Sequence, residues 1–414
     1  MTNHETTWAV KNKNILVCVG GGIAAYKVCE VISQLFQREA NVKVILTNSA
    51  QQFITPLTVS TLSRHPAYTD EDFWQPSHSP PLHINLGEWA DLLVIAPLTA
   101  NTLGKLVYGL ADNLLTNTVL ASNCPILVAP AMNTQMWLQD TVQKNWQTLA
   151  RQKRYHLLHT NSGLLACDQV GQGRMAEPQE ILLAIESIVY SQGKRDLVGK
   201  NILISAGSSR EFFDVVRFIG NPATGKMGLA LATAAYHRGA NVTLVAGNIA
   251  TELMQYLPPI KIIPVVTSRE MEEALISNFS QADYLLMSAA VADVKPSEYV
   301  ATKLSKNSLP QSMKLSMVND IVAELGNLKR AAQKIIGFAA QTEDIVTPAL
   351  DKLKRKNLDA IVANPIDKKD AGFGTDTNEA VFIDLHEQQI PLASTSKLIM
   401  AHQILDQLLL IGNR

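Results

Sequence analysis

Cysteine is scarce in this chain. Four occur in 414 residues (Cys18, Cys29, Cys124 and Cys167), with no CxxC spacing among them. That argues against a disulfide framework and fits the reducing cytoplasm. Net charge is also close to absent, at −1 formally, so no long-range field draws the chain to nucleic acid or an anionic membrane. No apolar run reaches the length of a membrane-spanning helix. The polar start MTNHETTWAVKNKN, followed by an apolar run with three glycines, does not read as a secretory signal. What remains is an abundance of apolar residues, 47%, enough for one to three large cores.

The stretch HINLGEWADLLVIAPLTANTLGK, from His83 to Lys105, carries the most chemistry in the first half. A five-residue apolar strand at 92–96 is expected to stop at Pro97, and the loop Thr99-Ala100-Asn101 then opens a helix. In an open α/β sheet such loops face the ligand crevice. His83 is a candidate proton handler that the fold can bring there. Earlier, a buried-strand pattern at 15–19 runs into Gly20-Gly21-Gly22 and an amphipathic helix over 23–38. Strand, glycine turn and helix start make an anion site through free N–H groups and the helix dipole; a tight βα turn without ligand reads equally well. A second strand at 41–47 ends at Thr47, residues 64–82 read as a surface excursion, and another strand ends in Pro130-Ala131-Met132-Asn133. The glycine-rich run 163–175 reads as a flexible flap. Cys167 within it is a candidate reactive thiol, whereas Cys18 and Cys29 fit an apolar core.

Residues 191–200 read as a linker, and beyond it the plan recurs. KNILVCVGGG is echoed by KNILISAGSS, REANVKVILTN by HRGANVTLVAGN, and WADLLVIAP by QADYLLMSA. A shared α/β fold could give these echoes with or without common ancestry; either way, two doubly wound units follow. Gly220 to Lys226 fits half of a P-loop. Met227 stands where the Mg²⁺-holding hydroxyl belongs, and the loop does not directly follow its strand, which excludes that reading. A helix-start phosphate site by the general mechanism stays open there. A strand at 284–287 leads into Ser288-Ala289-Ala290-Val291-Ala292-Asp293 and a lysine-rich span to 315 that reads as a mobile flap, with Lys303 and Lys306 as solvated loop residues. A helix is expected over 342–357 with Glu343 and Asp344 in its first turn; Lys352 and Lys356 then share a face and complement its C-terminus. The last strand is expected at 380–384 and the last helix over 394–410.

Nine motifs in order make the chain resemble the bifunctional coenzyme A biosynthesis flavoproteins, in which phosphopantothenoylcysteine decarboxylase precedes phosphopantothenate–cysteine ligase. They are VGGGIAAYK, HINLGEWAD, APLTANT, APAMN and GLLACDQVGQGRM, then NPATGKMG, SAAVADVKP, IIGFAAQT and NLDAIVANP followed by GFGTDTN. The resemblance implies two Rossmann-like α/β domains, a flavodoxin-like FMN-binding decarboxylase over 1–190 and a CTP-binding ligase over 191–414. It implies FMN held by Gly20, Gly21, Gly22, Thr47, Thr99, Ala100 and Asn101. Decarboxylation of an N-acylcysteine needs an electron sink, which oxidation of the side chain to a thioaldehyde supplies. His83 is then the base or substrate orienter, Met132 and Asn133 with Asn101 contact substrate, and Cys167 donates a proton.

For the ligase, the resemblance implies an acyl-cytidylate gripped by Asn221 and attacked by cysteine. The nucleotide is met by Met287, Ser288, Ala289, Asp293 and Lys303, then by Asn319, Asp320, Ile321, Val322, Phe338, Lys352 and Lys356. Mg²⁺ accompanies CTP, without protein ligands assigned to it. The motif usually reading KxKK is Lys303-Leu304-Ser305-Lys306 here, one cation fewer. Homo-oligomers are implied, with trimeric decarboxylase units and dimerising ligase domains. The partners are small molecules (4′-phosphopantothenate, cysteine and CTP). A flavin-binding regulatory protein and a flavin oxidoreductase with a nucleotide-binding second domain are the competing classes; retention of His83 and Cys167 speaks against the first.

Overall fold

The computed structural model describes residues 8–76, 79–164, 170–365 and 374–412. They form two compact units, 8–194 and 195–412. The first is built on β1 (Asn14–Val19), β2 (Asn41–Leu46), β3 (Ala67–Tyr68), β4 (Leu92–Leu98), β5 (Ile126–Pro130) and β6 (Tyr155–Leu157). All pair in parallel, in the order β3-β2-β1-β4-β5-β6. Helices cover both faces, so the strands are apolar throughout rather than alternating. Ile15, Val17 and Val19 pack with Val28 and Ile32 of the helix Ala25–Gln37 and Ile181 of the helix Pro178–Ser191. Leu16 and Cys18 pack on the other face with Leu86, Leu103 and Leu115. Without the two-residue β3, the order becomes 2-1-3-4-5, the flavodoxin-like winding. A separate antiparallel hairpin, β7 (Asn161–Leu164) with β8 (Val170–Arg174), follows.

The second unit contains β9 (Asn201–Ala206), β10 (Arg210–Phe212), β11 (Phe218–Gly220), β12 (Asn241–Ala246), β13 (Lys261–Pro264) and β14 (Tyr284–Met287). It continues with β15 (Val294–Pro296), β16 (Leu315–Met317), β17 (Lys334–Gln341), β18 (Ala360–Pro365), β19 (Thr377–Asp384) and β20 (Gln389–Ser396). Its main sheet runs β13-β12-β9-β14-β17-β18-β19-β20, parallel to β18 and then antiparallel. Two small antiparallel pairs, β10 with β11 and β15 with β16, stand apart from it.

The sequence echoes are echoes of hydrogen bonding. In the first unit Asn41 Nδ2 donates to Asn14 Oδ1 at 3.1 Å, and Asn14 N donates to Asp91 Oδ2 at 2.9 Å. In the second, Asn241 Nδ2 donates to Asn201 Oδ1 at 3.1 Å, and Asn201 N donates to Asp283 Oδ2 at 2.7 Å. The main chain agrees too: Asn41 N reaches Lys13 O and Asn241 N reaches Lys200 O, each at 2.8 Å.

Several local expectations change. β4 does not stop at Pro97 but continues to Leu98, because a register shift after Ile95 takes the proline, which has no N–H, out of the ladder. The helix expected over 342–357 is Thr347–Arg355. Glu343 has φ of 61°, outside helical space, and Asp344 accepts N–H bonds from Val346 and Thr347 ahead of the first turn. The lysine-rich span is bracketed by β15 and β16 rather than lacking structure. β20 was not expected, and the final helix begins at Lys397.

Candidate active sites

In the first unit four loops meet at the carboxyl edge of the sheet. A Cβ on Gly20 would lie 2.4 Å from Pro97 O and 3.3 Å from Thr99 Cγ2; one on Gly21 would lie 2.2 Å from Ser49 Cβ. These two glycines let the ends of β1, β2 and β4 close together. Gly22 differs: its nearest neighbour would be Pro97 Cγ at 3.8 Å, leaving a ligand room to approach. It opens a cleft of about 520 Å³ lined by Ile23, Ala24, Tyr26, Met132, Leu164 and Met175, with Lys27, Asn133 and Arg174 as its polar side chains. An apolar cavity with few polar groups, beside a helix start, suits a planar ring system carrying an anionic tail.

The side chains expected to touch a cofactor also hold the loops in place. Thr47 Oγ1 donates to Val19 O at 3.2 Å and accepts from Ala50 N at 3.2 Å. Thr99 caps the helix Ala100–Tyr108, accepting from Thr102 N at 3.2 Å. Asn101 is exposed in the first turn of that helix. Asn133 caps the helix Thr134–Trp137 through Gln135 N at 2.8 Å, which fixes the adjoining Met132 against the hairpin: Met132 N donates to Gly173 O at 3.0 Å.

His83 lies in the first turn of the helix Leu82–Trp89, edge-on to Phe73 with ring centroids 5.4 Å apart. Its Nδ1 is buried and makes no hydrogen bond among the described residues. Leu82 and Leu86 of its helix pack on the sheet face opposite the helix Ala25–Gln37, and His83 does not line the cleft. Cys167 and Asp168 lie outside the described residues; the hairpin arms leading to them are described. Burial raises the thiols of Cys18, Cys29 and Cys124 above their ordinary range, which makes them poor nucleophiles at neutral pH.

Sequence reasoning missed the clamp under the hairpin. Lys27 Nζ meets both Glu177 oxygens at 2.7 and 2.8 Å, and Arg174 Nη2 meets Glu177 Oε1 at 3.3 Å. Glu180 Oε2 accepts from Asn161 Nδ2 at 2.6 Å and from Glu177 N at 2.6 Å. The start of the helix Pro178–Ser191 thus holds both arms of the hairpin and the cleft lysine. The Glu177-Pro178-x-Glu180 run announces a capped helix start, but its distant partners are not written locally.

In the second unit most of the expected nucleotide residues gather at the ends of β14 and β17. Ser288 Oγ donates to Ser205 O at 2.6 Å, Ala289 N donates to Ser205 Oγ at 3.2 Å, and Met287 pairs with Gly337 beside Phe338. Val318 N donates to Asp293 O at 3.0 Å, bringing residues 293 and 319–322 together. Asp320 caps the helix Ile321–Leu328, and Lys356 Nζ lies 2.9 Å from Asp320 Oδ1. Burial would raise the Asp320 carboxyl, but Lys356 and the Ala323 N–H hold it below the ordinary range. Burial and then the charge of Lys356 lower the Lys352 ammonium, against the opposing pull of Asp293 and Asp320. Met287 and Ile321 are buried in the core, so a ligand there meets their main chain. Asn319 Nδ2 is engaged with Glu272 Oε1 at 3.0 Å, while Val322 is partly buried against the core. Asn221 Nδ2 donates to Val291 O at 3.1 Å, beside the Ser288–Asp293 loop. Lys303 is exposed, and no hydrogen bond or ion pair among the described residues joins it to this cluster. The helix-start lysine Lys226 is occupied by Asp376 Oδ1 at 2.6 Å and Gly374 O at 2.9 Å. Among the described residues no group of three or more His, Cys, Asp or Glu could hold a metal.

Two parallel α/β units, one with a glycine-turn cleft under a hairpin and one with a lysine–aspartate cluster at its strand ends, define a two-part flavoprotein. Residues 3–189 match the family described as Flavoprotein, and 197–411 match the DNA/pantothenate metabolism flavoprotein C-terminal domain. The coenzyme A biosynthesis bifunctional protein CoaBC of Bacillus subtilis (strain 168) is 42% identical over 401 residues, 96% of this chain and 97% of that protein. The chain belongs to the family of bifunctional coenzyme A biosynthesis flavoproteins. A cysteine/cysteine sulfinic acid decarboxylase from an unknown prokaryotic organism is 42% identical over 335 residues, 80% of this chain and 92% of that protein. The crystal structure of the C-terminal domain of a coenzyme A biosynthesis bifunctional protein CoaBC shares 35% identity, covering 53% of this chain and 98% of that chain, with a TM-score of 0.44. The two family matches and the Bacillus subtilis relative bear out the family and the bifunctional enzyme class expected from the motifs, and the sheet topology bears out the α/β fold class.

Proposed function

We propose that the domain over residues 191–414 ligates 4′-phosphopantothenate to cysteine at the expense of CTP, and that the domain over residues 1–190 decarboxylates the product to 4′-phosphopantetheine. The cleft at Gly22 carries this reading, since it joins a helix start, the Asn133 loop and the β7–β8 hairpin in the unit matching the flavoprotein family. FMN suits the cleft: Gly22 leaves space where Gly20 and Gly21 do not. FMN held there would supply reversible hydride acceptance, the electron sink that makes loss of CO₂ feasible. The chain's own part is placement and proton handling. Asn101 and Asn133 orient the substrate carboxylate, His83 acts as base or orienter, and Cys167 Sγ gives up the proton that the ene-thiol takes up at the carbon that lost CO₂.

In the ligase the 4′-phosphopantothenate carboxylate attacks the α-phosphate of CTP and pyrophosphate leaves. The cysteine amine then attacks the acyl carbon and CMP leaves. Lys352, Lys356 and Lys303 neutralise phosphate charge together with Mg²⁺, and Asn221 grips the acyl-cytidylate. His83 and the Gly22 cleft lie on opposite faces of one unit, and Tyr26, Leu57, Trp74, Tyr108 and Val170 are exposed there. Both features support a site completed between copies, in trimers of the first unit; exposed Tyr299 and Met317 support dimers of the second. No helix among the described residues is long and apolar enough to cross a membrane, and we place the enzyme in the cytoplasm.

Mass spectrometry of products from 4′-phosphopantothenate, cysteine, CTP and Mg²⁺ tests the reading. 4′-Phosphopantetheine with CMP is expected; untouched 4′-phosphopantothenate refutes the ligase half. In Cys167→Ser an oxidised, decarboxylated species should accumulate, and normal product at normal rate refutes the role of the thiol. The 42% identical cysteine decarboxylase favours a second reading, free cysteine as the decarboxylase substrate. CO₂ release from cysteine alone would establish it.

A further inference from the structure

One carboxylate in the second unit has no accessible surface and is shared between two loops of the proposed ligase site. Asp214 lies between β10 and β11 and is 0% exposed. Its Oδ1 accepts from Val216 N at 2.8 Å and Arg217 N at 2.6 Å, closing the turn. Its Oδ2 accepts from Arg217 Nη1 at 2.5 Å and from Leu304 N at 3.3 Å, ninety residues away. Arg217 Nη1 also donates to Leu304 O at 3.3 Å, and Val300 N donates to Phe213 O at 3.0 Å.

The backbone on either side of Lys303 is therefore fastened to this turn, while the lysine side chain is exposed. Beyond the turn, β11 leads directly to Asn221, whose own amide is tied to Val291. A turn-stabilising aspartate needs only the two Oδ1 bonds. The outward use of Oδ2 has another effect: it fixes the Lys303 loop relative to the Asn221 loop.

We propose that Asp214 is a positioning residue for CTP-dependent ligation, holding the Lys303 loop in register with Asn221 so that the ammonium meets the nucleotide. This rests on the ligase reading above. Misplacing a charge-stabilising group by about 1 Å costs up to roughly 100-fold in rate. The full chain with Asp214→Asn, Lys303→Ala and both together is assayed for CMP release at varied CTP. Decarboxylation of supplied 4′-phosphopantothenoylcysteine serves as the control for the other unit.

Expected are a roughly 10- to 100-fold loss of kcat/KM for CTP in each single variant, decarboxylation within about twofold of wild type, and no added loss in the double variant. Multiplicative losses in the double variant, or unchanged CTP kinetics in Asp214→Asn, overturn the inference. Should Asp214→Asn fold poorly, Asp214→Glu keeps the charge and shifts the anchor; CTP kinetics like wild type in that variant also overturn it. A wild-type chain that releases no CMP overturns the ligase reading itself, and this inference with it.

Discussion

Gly20, Gly21 and Gly22 look alike in sequence and have different work. Two are demanded by neighbouring main chain and one leaves room for a ligand, a distinction that depends on Pro97 and Ser49, which arrive from other strands. The turn was legible, whereas the division of labour was not. Gly20→Ala should therefore destabilise the first unit by about 1–3 kcal/mol through overpacking. Gly22→Ala should leave the melting temperature nearly unchanged while lowering bound flavin. Thermal melts alongside the flavin absorbance of purified variants check both, and a stable, flavin-free Gly20→Ala would contradict the assignment. His83 shows the same limit. Its candidacy as a proton handler was legible, but the face of the sheet its helix Leu82–Trp89 occupies follows from packing that no local spacing records.

At the scale of elements, strands with continuous apolar runs were read almost to the residue, because burial on both faces writes itself into composition. β14 is the case in point. β20 was missed because QIPLASTS, at the edge of its sheet, keeps no regular alternation of exposed and buried positions and carries too few apolar side chains to stand out. β15 and β16 were missed because three-residue strands joined across a long loop leave no periodicity. The glycines of the β7–β8 hairpin were legible, but not its pairing or its attachment. Glu177 holds Lys27 and Arg174 together at its base. Glu177→Gln should lower the decarboxylation rate roughly 10-fold with flavin content retained, because the hairpin base shifts relative to the cleft. Single-turnover kinetics of flavin absorbance measure it, and an unchanged rate would make the clamp purely structural.

For the whole molecule, two compact units predict two separable responses to pH. His402 is fully buried in the second unit, where burial, then Arg238 and His237, lowers its pKa well below the ordinary value. Burial lowers His237 to about 4. The unfolded chain binds these protons near pH 6.5 and the folded unit does not, so stability is present above that pH and is lost as pH falls toward 4. The melting temperature of the second unit should drop on the order of 5 °C between pH 7 and pH 5. His402→Leu should flatten that dependence, and a pH-independent transition in the wild type would contradict it. The Arg238 guanidinium beside His402 is itself paired with Asp196 and Asp406.

The asparagine ladder at the amino edges of β1 with β2, and of β9 with β12, closes in each unit with its own asparagines and its own aspartate. Nothing in it is borrowed from the other half. A module that seals its own edge can be copied as a block, and each copy then diverges at the opposite edge without unravelling. The chain accordingly uses one edge-sealing device twice, once in each unit.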